Sequence, residues 1–229
     1  MLLLGLETAT RHISVALWRD GVLAQRTADL PNSGSEVLLP WAAHLLAEGG
    51  FGFAQLDGIA FGAGPGGFTG VRLACGVAQG LAWGLDRPVV PVCTLEALAL
   101  AAGAPQVWAC LDARMDEVYA AAYGVEGDVV SELLAPTCAP AAAVPLPPFA
   151  GGCGAGDGFA AHGDALRSRK GDLAVVRTGV APDAAGVLRL AAPIFAVGGG
   201  VPAAQAQPRY VREKVALTTA ERLARGGQR

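Results

Sequence analysis

Apolar and polar residues fall along this chain in an order that predicts its elements one after another. Leu2 to Glu7 is a short apolar run and reads as a strand. Ile13, Val15 and Leu17 alternate with Ser14, Ala16 and Trp18, the period of two that marks a second strand. Asp20-Gly21 is a hairpin signal, and Val22 to Leu30 returns as a third, antiparallel strand. Ser33-Gly34-Ser35-Glu36 fits a capping box and starts a helix to about Glu48. Val37, Leu38, Trp41, Leu45 and Leu46 mark its buried side, and Pro40 should kink it. Leu56 to Phe61 is the next strand, followed by the glycine-rich stretch Gly62 to Gly70 and an apolar helix from Val71 to Leu85. Thr69 is the expected N-cap of that helix. Pro88 to Cys93 is another strand, and Thr94 should cap a helix reaching about Ala102.

The second half starts afresh. Val107 to Leu111 reads as a strand, Asp112-Ala113-Arg114-Met115-Asp116 as a polar turn, and Val118 to Tyr123 and Val129 to Leu134 as two more strands. Leu133 to Gly156 carries no charge, but Pro136, Pro140, Pro145, Pro147 and Pro148 interrupt it. It reads as a loop or linker, not a membrane span. Phe149 to Gly158 is glycine-dense, and Asp183 to Phe195 is apolar at helical spacing. Three hairpin strands followed by helix, strand, helix, strand is not the plain alternation of a Rossmann fold. By analogy with known topologies it is the order of a ribonuclease H-like domain. The predicted class is α/β, with two ribonuclease H-like lobes of the actin/Hsp70 (ASKHA) superfamily. The boundary falls near Ala102 to Pro105. This gives an N-terminal lobe at 1–104 and a smaller, degenerate lobe with a basic tail at 105–229.

Composition narrows the function. Hydrophobic residues are 52% of the 229 and charged residues 16%, enough apolar surface for a core and too little charge for disorder. A net charge of -3 argues against a broad nucleic-acid-binding face. The end of the chain differs, with Arg209, Arg212, Lys214, Arg222, Arg225 and Arg229 against Glu213 and Glu221. That tail reads either as an RNA contact or as a solvated terminus. Five scattered cysteines form no CxxC pair, which suggests neither zinc nor a redox motif. The first residues lack the basic region of a signal peptide, so a soluble cytoplasmic protein is expected.

The glycine stretch invites a nucleotide reading. A Walker pattern laid at Gly62 puts Phe68 where the phosphate-binding lysine belongs. GxGxxG matches literally at Gly62, Gly64 and Gly67, but the next strand ends at Thr94 without an acid for the ribose. A tight turn launching a helix remains. Along that helix Gly76, Gly80 and Gly84 recur every four residues, beside Ala74, Ala78 and Ala82. Each helix glycine costs about 1 kcal/mol relative to alanine, so the stripe implies a closely approaching backbone. A partner helix and the domain's own sheet both fit.

His12, His44 and His162 show no metal-ligand spacing, and no nucleophile elbow is present. The first strand ends in Glu7-Thr8-Ala9-Thr10, where actin-like ATPases place a magnesium-positioning acid before a glycine. The acid is present and the glycine is not. The matching turn of the second half, with Asp112, Arg114 and Glu117, also lacks glycine. Glu7, Thr8, Thr10, Asp112, Arg114 and Glu117 therefore read as positions of a degenerate nucleotide site.

Four segments carry a family resemblance. Leu6-Glu7-Thr8-Ala9-Thr10 followed by Ser14-Val15-Ala16-Leu17, Gly64-Pro65-Gly66-Gly67-Phe68-Thr69-Gly70-Val71-Arg72, Asp112-Ala113-Arg114-Met115 with Glu117-Val118-Tyr119, and Pro208 with Tyr210-Val211-Arg212 resemble, in order, the motifs of the bacterial TsaB (YeaZ) family. Gly67 replaces a serine of that pattern, Glu7 an aspartate, and Gly34 a histidine found in many members. The resemblance implies a non-catalytic subunit of the complex that makes N-threonylcarbamoyladenosine in tRNA. Its implied partners are a TsaD-type transferase, a TsaE-type ATPase and, through the complex, tRNA, with a homodimer when alone and no membrane. Pairing is implied through the first two helices, at Val37, Trp41, Leu45, Val71, Arg72, Gly76, Val77, Gly80 and Gly84. No catalytic or metal-binding residue and no tightly bound cofactor is implied, and ATP or ADP at the shared interface stays open. The rival readings are a glycoprotease-like metallopeptidase and a stand-alone binder of NAD or ATP. Gly198-Gly199-Gly200 resembles adenosine-site glycines and also fits a loop after the last helix.

Overall fold

A computed structural model describes residues 1–30 and 34–212. Ser33 of the expected capping box and the tail residues Glu213, Lys214, Glu221, Arg222, Arg225 and Arg229 lie outside them.

Two five-stranded sheets repeat one topology. In the first, β1 (Leu2–Glu7), β2 (His12–Arg19) and β3 (Val22–Asp29) form an antiparallel meander, and β4 (Gly58–Gly64) and β5 (Val89–Cys93) add in parallel beside β1, giving the order β3-β2-β1-β4-β5. In the second, β6 (Gln106–Arg114), β7 (Glu117–Glu126) and β8 (Val129–Pro140) form the meander. Strands β9 (Cys153–Ala155) and β10 (Val175–Arg177) add in parallel beside β6, giving the matching order β8-β7-β6-β9-β10. The meander comes from tight turns. Each parallel step needs a crossover, and helices supply most of them. In the first lobe these are α1 (Gly34–Glu48) and α2 (Phe68–Leu85), with α3 (Thr94–Ala102) closing the unit. In the second they are α4 (Gly158–Arg169) and the closing α5 (Ala184–Ala196). No helix stands between β8 and β9, where Pro145, Pro147 and Pro148 deny the backbone the donors a helix needs. That missing helix is the degeneracy of the second lobe.

The closing helices change places. Helix α3 buries Leu95, Leu98, Ala99 and Ala102 against Val107, Ala109, Leu111, Ala121 and Tyr123 of the second sheet. Helix α5 buries Ala184, Val187, Leu188, Ala191 and Phe195 against Leu3, Ala16, Ala60, Val90 and Val92 of the first. The two sheets do divide between Ala102 and Gln106, yet residues 184–206 return to the first sheet rather than staying with the second. Strand periodicity sorts the two faces of the first sheet. Leu2, Leu4, Leu6, Ile13, Val15 and Leu17 face α1 and α2, while Leu3 faces α5. A Cβ on Gly5 would stand 2.6 Å from Leu188 and 2.8 Å from the Ala184 carbonyl, so glycine here lets α5 lie close.

Several expected boundaries shift. Helix α2 begins at Phe68 with Gly67 as N-cap and no side-chain cap, so Thr69 sits inside the first turn. Helix α3 begins at Thr94 itself, with Cys93 as N-cap, and the Thr94 hydroxyl turns inward. Helix α1 runs from 34 to 48 without a break through Pro40. Strand β8 continues to Pro140, through residues expected to be a loop. Its place at the sheet edge explains this, because an edge strand can leave one row of donors unused and so accept Pro136. The three-residue strands β9 and β10 are too short to show a period, and α4 is polar and breaks helical geometry at His162.

Two substitutions separate this packing from surface effects. Leu188→Ala, at a fully buried position on the face of α5 that packs on the first sheet, should lower the unfolding free energy by about 2–5 kcal/mol in urea titrations. Val197→Ala, which is 84% exposed, should stay within about 0.5 kcal/mol of wild type.

Candidate functional site

Two surfaces gather the chemistry: a cleft between the lobes and the outer face of α1 and α2. The cleft is a cavity of about 820 Å³. Equivalent turns of the two lobes line it. Thr8 to Arg11 after β1 and Pro65 to Val71 after β4 face Leu111 to Arg114 of β6 and Asp157 after β9. Residues 209–212 run along it.

Glu7 stands behind this wall. It is fully buried, with Oε1 accepting the Ala9 N–H at 2.7 Å and Oε2 accepting the Thr94 hydroxyl at 3.3 Å. Thr94 Oγ1 in turn accepts the Gly64 N–H at 3.1 Å. Burial pushes the Glu7 carboxyl up to about 7, and the Ala9 and Thr94 hydrogen bonds offset only part of that. A Cβ on Gly62 would lie 1.9 Å from Glu7 Oε2, so this first glycine makes room for a carboxylate of the chain itself.

The rest of the glycine loop is zipped onto the turn after β1. Gly67 N–H donates to the Ala9 carbonyl at 2.7 Å, and Thr8 Oγ1 donates to the Gly70 carbonyl at 2.6 Å. A Cβ on Gly66 would meet Ala9 at 2.6 Å, and one on Gly70 the Thr8 carbonyl at 1.9 Å. These contacts explain why glycine, and no larger residue, stands at positions 66 and 70.

The six positions expected at a degenerate nucleotide site therefore divide. Thr8, Thr10, Asp112 and Arg114 line the cleft, whereas Glu7 and Glu117 do not. Asp112 pairs with Arg114 at 3.2 Å and lies 3.3 Å from His162 Nε2, and its N–H donates to Asp157 Oδ1 at 3.0 Å. Burial raises the Asp157 carboxyl above its usual range. Sequence reasoning missed Asp157 and His162, whose only local sign is a polar residue beside a glycine-dense run. Glu117 is held by Arg212, which also donates to the Ala113 carbonyl at 2.8 Å. This fastens the segment at Arg212 to the hairpin between β6 and β7. Arg114, Met115 and Asp116 all have φ near +60°. The two-residue turn Met115-Asp116 has the positive φ values of a type I′ hairpin without a glycine to ease them. Gly198-Gly199-Gly200 is the loop after α5, packed near Pro88, and does not line the cleft.

The second surface is the solvent side of α2. Ala74, Ala78 and Ala82 are buried against the sheet, while Gly76, Gly80 and Gly84 are exposed, and a Cβ on any of the three would meet none of the described residues within 4 Å. The domain's own sheet therefore does not account for the stripe. Leu45, expected at an interface, is a buried core residue whose helical position faces the sheet, and Val71, also expected there, is buried in the first turn of α2 beside the cleft. Val37, Trp41 and Val77 are half-buried against the same core, and Arg72 is exposed. Trp83, 76% exposed, and Leu39, 46% exposed, share the outer surface and were not anticipated. Trp83 stands three residues after Gly80 and seven after Gly76, a spacing that places it on their face.

Repeated β-meander lobes with exchanged helices and a cleft between equivalent turns define a two-lobed protein of the ASKHA class. A family model described as "TsaD: tRNA N6-adenosine threonylcarbamoyltransferase" matches residues 32–221. The Escherichia coli K12 "tRNA threonylcarbamoyladenosine biosynthesis protein TsaB" is 36% identical over 228 residues, 94% of this chain and 96% of that protein. The Haemophilus influenzae protein of the same name is 47% identical over 127 residues, about half of each chain. Among solved structures, YeaZ from Pseudomonas aeruginosa superposes with a TM-score of 0.84 at 38% identity, covering 91% of this chain and 99% of that one. A second Pseudomonas aeruginosa structure, described as an uncharacterized protein with similarity to peptidase YEAZ, gives a TM-score of 0.85 at 38% identity. The chain belongs to the TsaB (YeaZ) family.

Glu7 makes stability depend on pH with a definite sign. Its folded pKa, about 7, lies above the ordinary value of 4.5, so the folded state holds the proton more tightly than the unfolded chain. The resulting stability is full below pH 4.5 and is lost as pH rises through 7, a loss of about 3 kcal/mol. Glu7→Gln should remove that component, so urea unfolding at pH 5 and pH 8 should show a smaller decline than in wild type.

Proposed function

We propose that this chain is a non-catalytic subunit of the complex that transfers a threonylcarbamoyl group to adenosine in tRNA. It binds and activates a TsaD-type transferase through the outer face of α1 and α2. One observation carries the reading. A well-packed helix gives its alanines to the core and turns three bare glycines and Trp83 outward. Glycine lowers helix stability there without serving any contact with another described residue, whereas a partner helix laid on the stripe would gain close backbone packing and an aromatic anchor. In the absence of the transferase the same face pairs two copies of the chain. A TsaE-type ATPase joins the complex, tRNA is reached through it, and ATP or ADP binds where subunits meet. The proposed role belongs to the cytoplasm. No helix among the described residues is long and apolar enough to cross a membrane.

The peptidase description attached to one Pseudomonas aeruginosa relative is the rival reading. Among the described residues no group of three or more His, Cys, Asp or Glu is placed to hold a metal ion. The buried Glu7 and the zipped glycine loop likewise favour an accessory role over independent nucleotide chemistry.

The decisive assay compares tRNA modification by the purified transferase and ATPase with and without this chain. Full activity in its absence would sink the proposal. Gly80→Leu isolates the interface. A Cβ at Gly80 meets no described residue within 4 Å, so helicity should be kept or slightly increased while the complex with the transferase disappears from size-exclusion profiles.

A further inference from the structure

A cluster at the mouth of the cleft shares only Arg72 with the expected partner interface. Phe68 and Tyr210 are 57% and 56% exposed. Between them lies the guanidinium of Arg72, 3.2 Å from the Phe68 ring centroid and 4.9 Å from that of Tyr210. Two large aromatic rings are thus held in water by an arginine that fixes their positions and leaves ring surface uncovered. The cleft they border carries Arg11, Arg114, Arg209 and Arg212, and its acids among the described residues are Asp112 and Asp157. Three of these arginines meet acids, and Arg209, with the adjacent Arg72, has no carboxylate partner among the described residues. Arg212 is occupied by Glu117 and backbone carbonyls. Arg11 and Arg114 are exposed and reach only surface or cleft carboxylates, at 3.4 and 3.2 Å.

Exposed π-faces beside Arg72 and Arg209, in a concave cleft, match single-stranded nucleic acid. Unpaired bases stack on aromatic and guanidinium planes, and phosphates take the cationic charge. A protein partner would satisfy the rings equally well but would not call for an arginine stacked on both of them and a second one beside them. Arg72 also adjoins the glycine stripe on α2, so a strand lying here would pass along the edge where a second subunit docks.

We infer that Phe68, Arg72 and Tyr210 form a stacking platform for an unpaired base of tRNA, with Arg11, Arg114 and Arg209 receiving the neighbouring phosphates. The inference rests on the proposed role in a tRNA-modifying complex and adds the surface through which this subunit touches RNA. The test uses the complex with the transferase and unmodified tRNA. Tyr210→Ala and Phe68→Ala should each weaken tRNA binding about tenfold, while Tyr210→Phe, which keeps the ring, stays near wild type. Arg209→Ala should weaken binding and reduce the slope of log affinity against log salt by about 0.7. Size-exclusion profiles of every variant should still show the complex. Unchanged tRNA affinity in both alanine variants overturns the inference, and so does a loss that merely follows loss of the complex. A free-nucleotide site is a separate outcome. If AMP binds the isolated chain and Tyr210→Ala abolishes that binding without affecting tRNA, the platform is not an RNA contact. If the wild-type chain forms no complex, the proposed function fails, and photo-cross-linking of tRNA to the chain alone still decides this point. Cross-links at Phe68 or Tyr210 support the platform, and cross-links confined to other segments overturn it.

Discussion

The exchange of closing helices between the two lobes holds the molecule together. Each sheet needs both faces covered, and each lobe supplies a helix that covers the other's sheet. Helix α3 leaves the first lobe to bury Leu95 and Leu98 beside Tyr123, and α5 leaves the second to bury Val187 and Leu188 beside Leu3. Neither sheet can lose the other without exposing apolar surface, a cost of about 25 cal/mol for each Å². The cleft is therefore a feature of one cooperative unit and not a gap between independent domains. The chain's last described stretch adds a second bond, since Val201 pairs with Val89 of the first sheet and Arg212 grips Glu117 of the second.

That arrangement decides what Glu7 can do. Strand alternation sends its side chain to the face that α3 and α5 close, so the carboxylate is sealed in with Thr94 and Gly62. The acid no longer looks into the cleft, and the neighbouring glycines give their free space to Thr8 and Ala9. The exposed aromatic and charged groups lie elsewhere, on the outer face of α2 and along the cleft.

Much of this was legible in the chain. The period of two in β1 and β2, the Asp20-Gly21 hairpin, the apolar run of α2 and its glycine spacing are local signals that local structure obeys. Where an element is short or its environment unusual, the signal failed. Strands β9 and β10 have three residues each, α4 lacks a clear apolar stripe, and Pro136 is tolerated only because β8 lies at an edge. The interface residues show the same limit. Glycine spacing identified the exposed stripe of α2, but Leu45 and Val71 belong to the core, since spacing names a face without saying which way it points.

By itself, then, the sequence determined the order of elements, the doubled lobe and the family motifs, because hydrogen-bonding periods and turn chemistry act over a few residues. Only the tertiary structure decided that the closing helices trade sheets, that Glu7 is buried with a raised pKa, and that the α2 glycines face solvent. It alone brought Tyr210 onto Arg72 and Arg212 onto Glu117. Contacts between distant segments follow from how two sheets share their covering helices, and no local pattern records that choice.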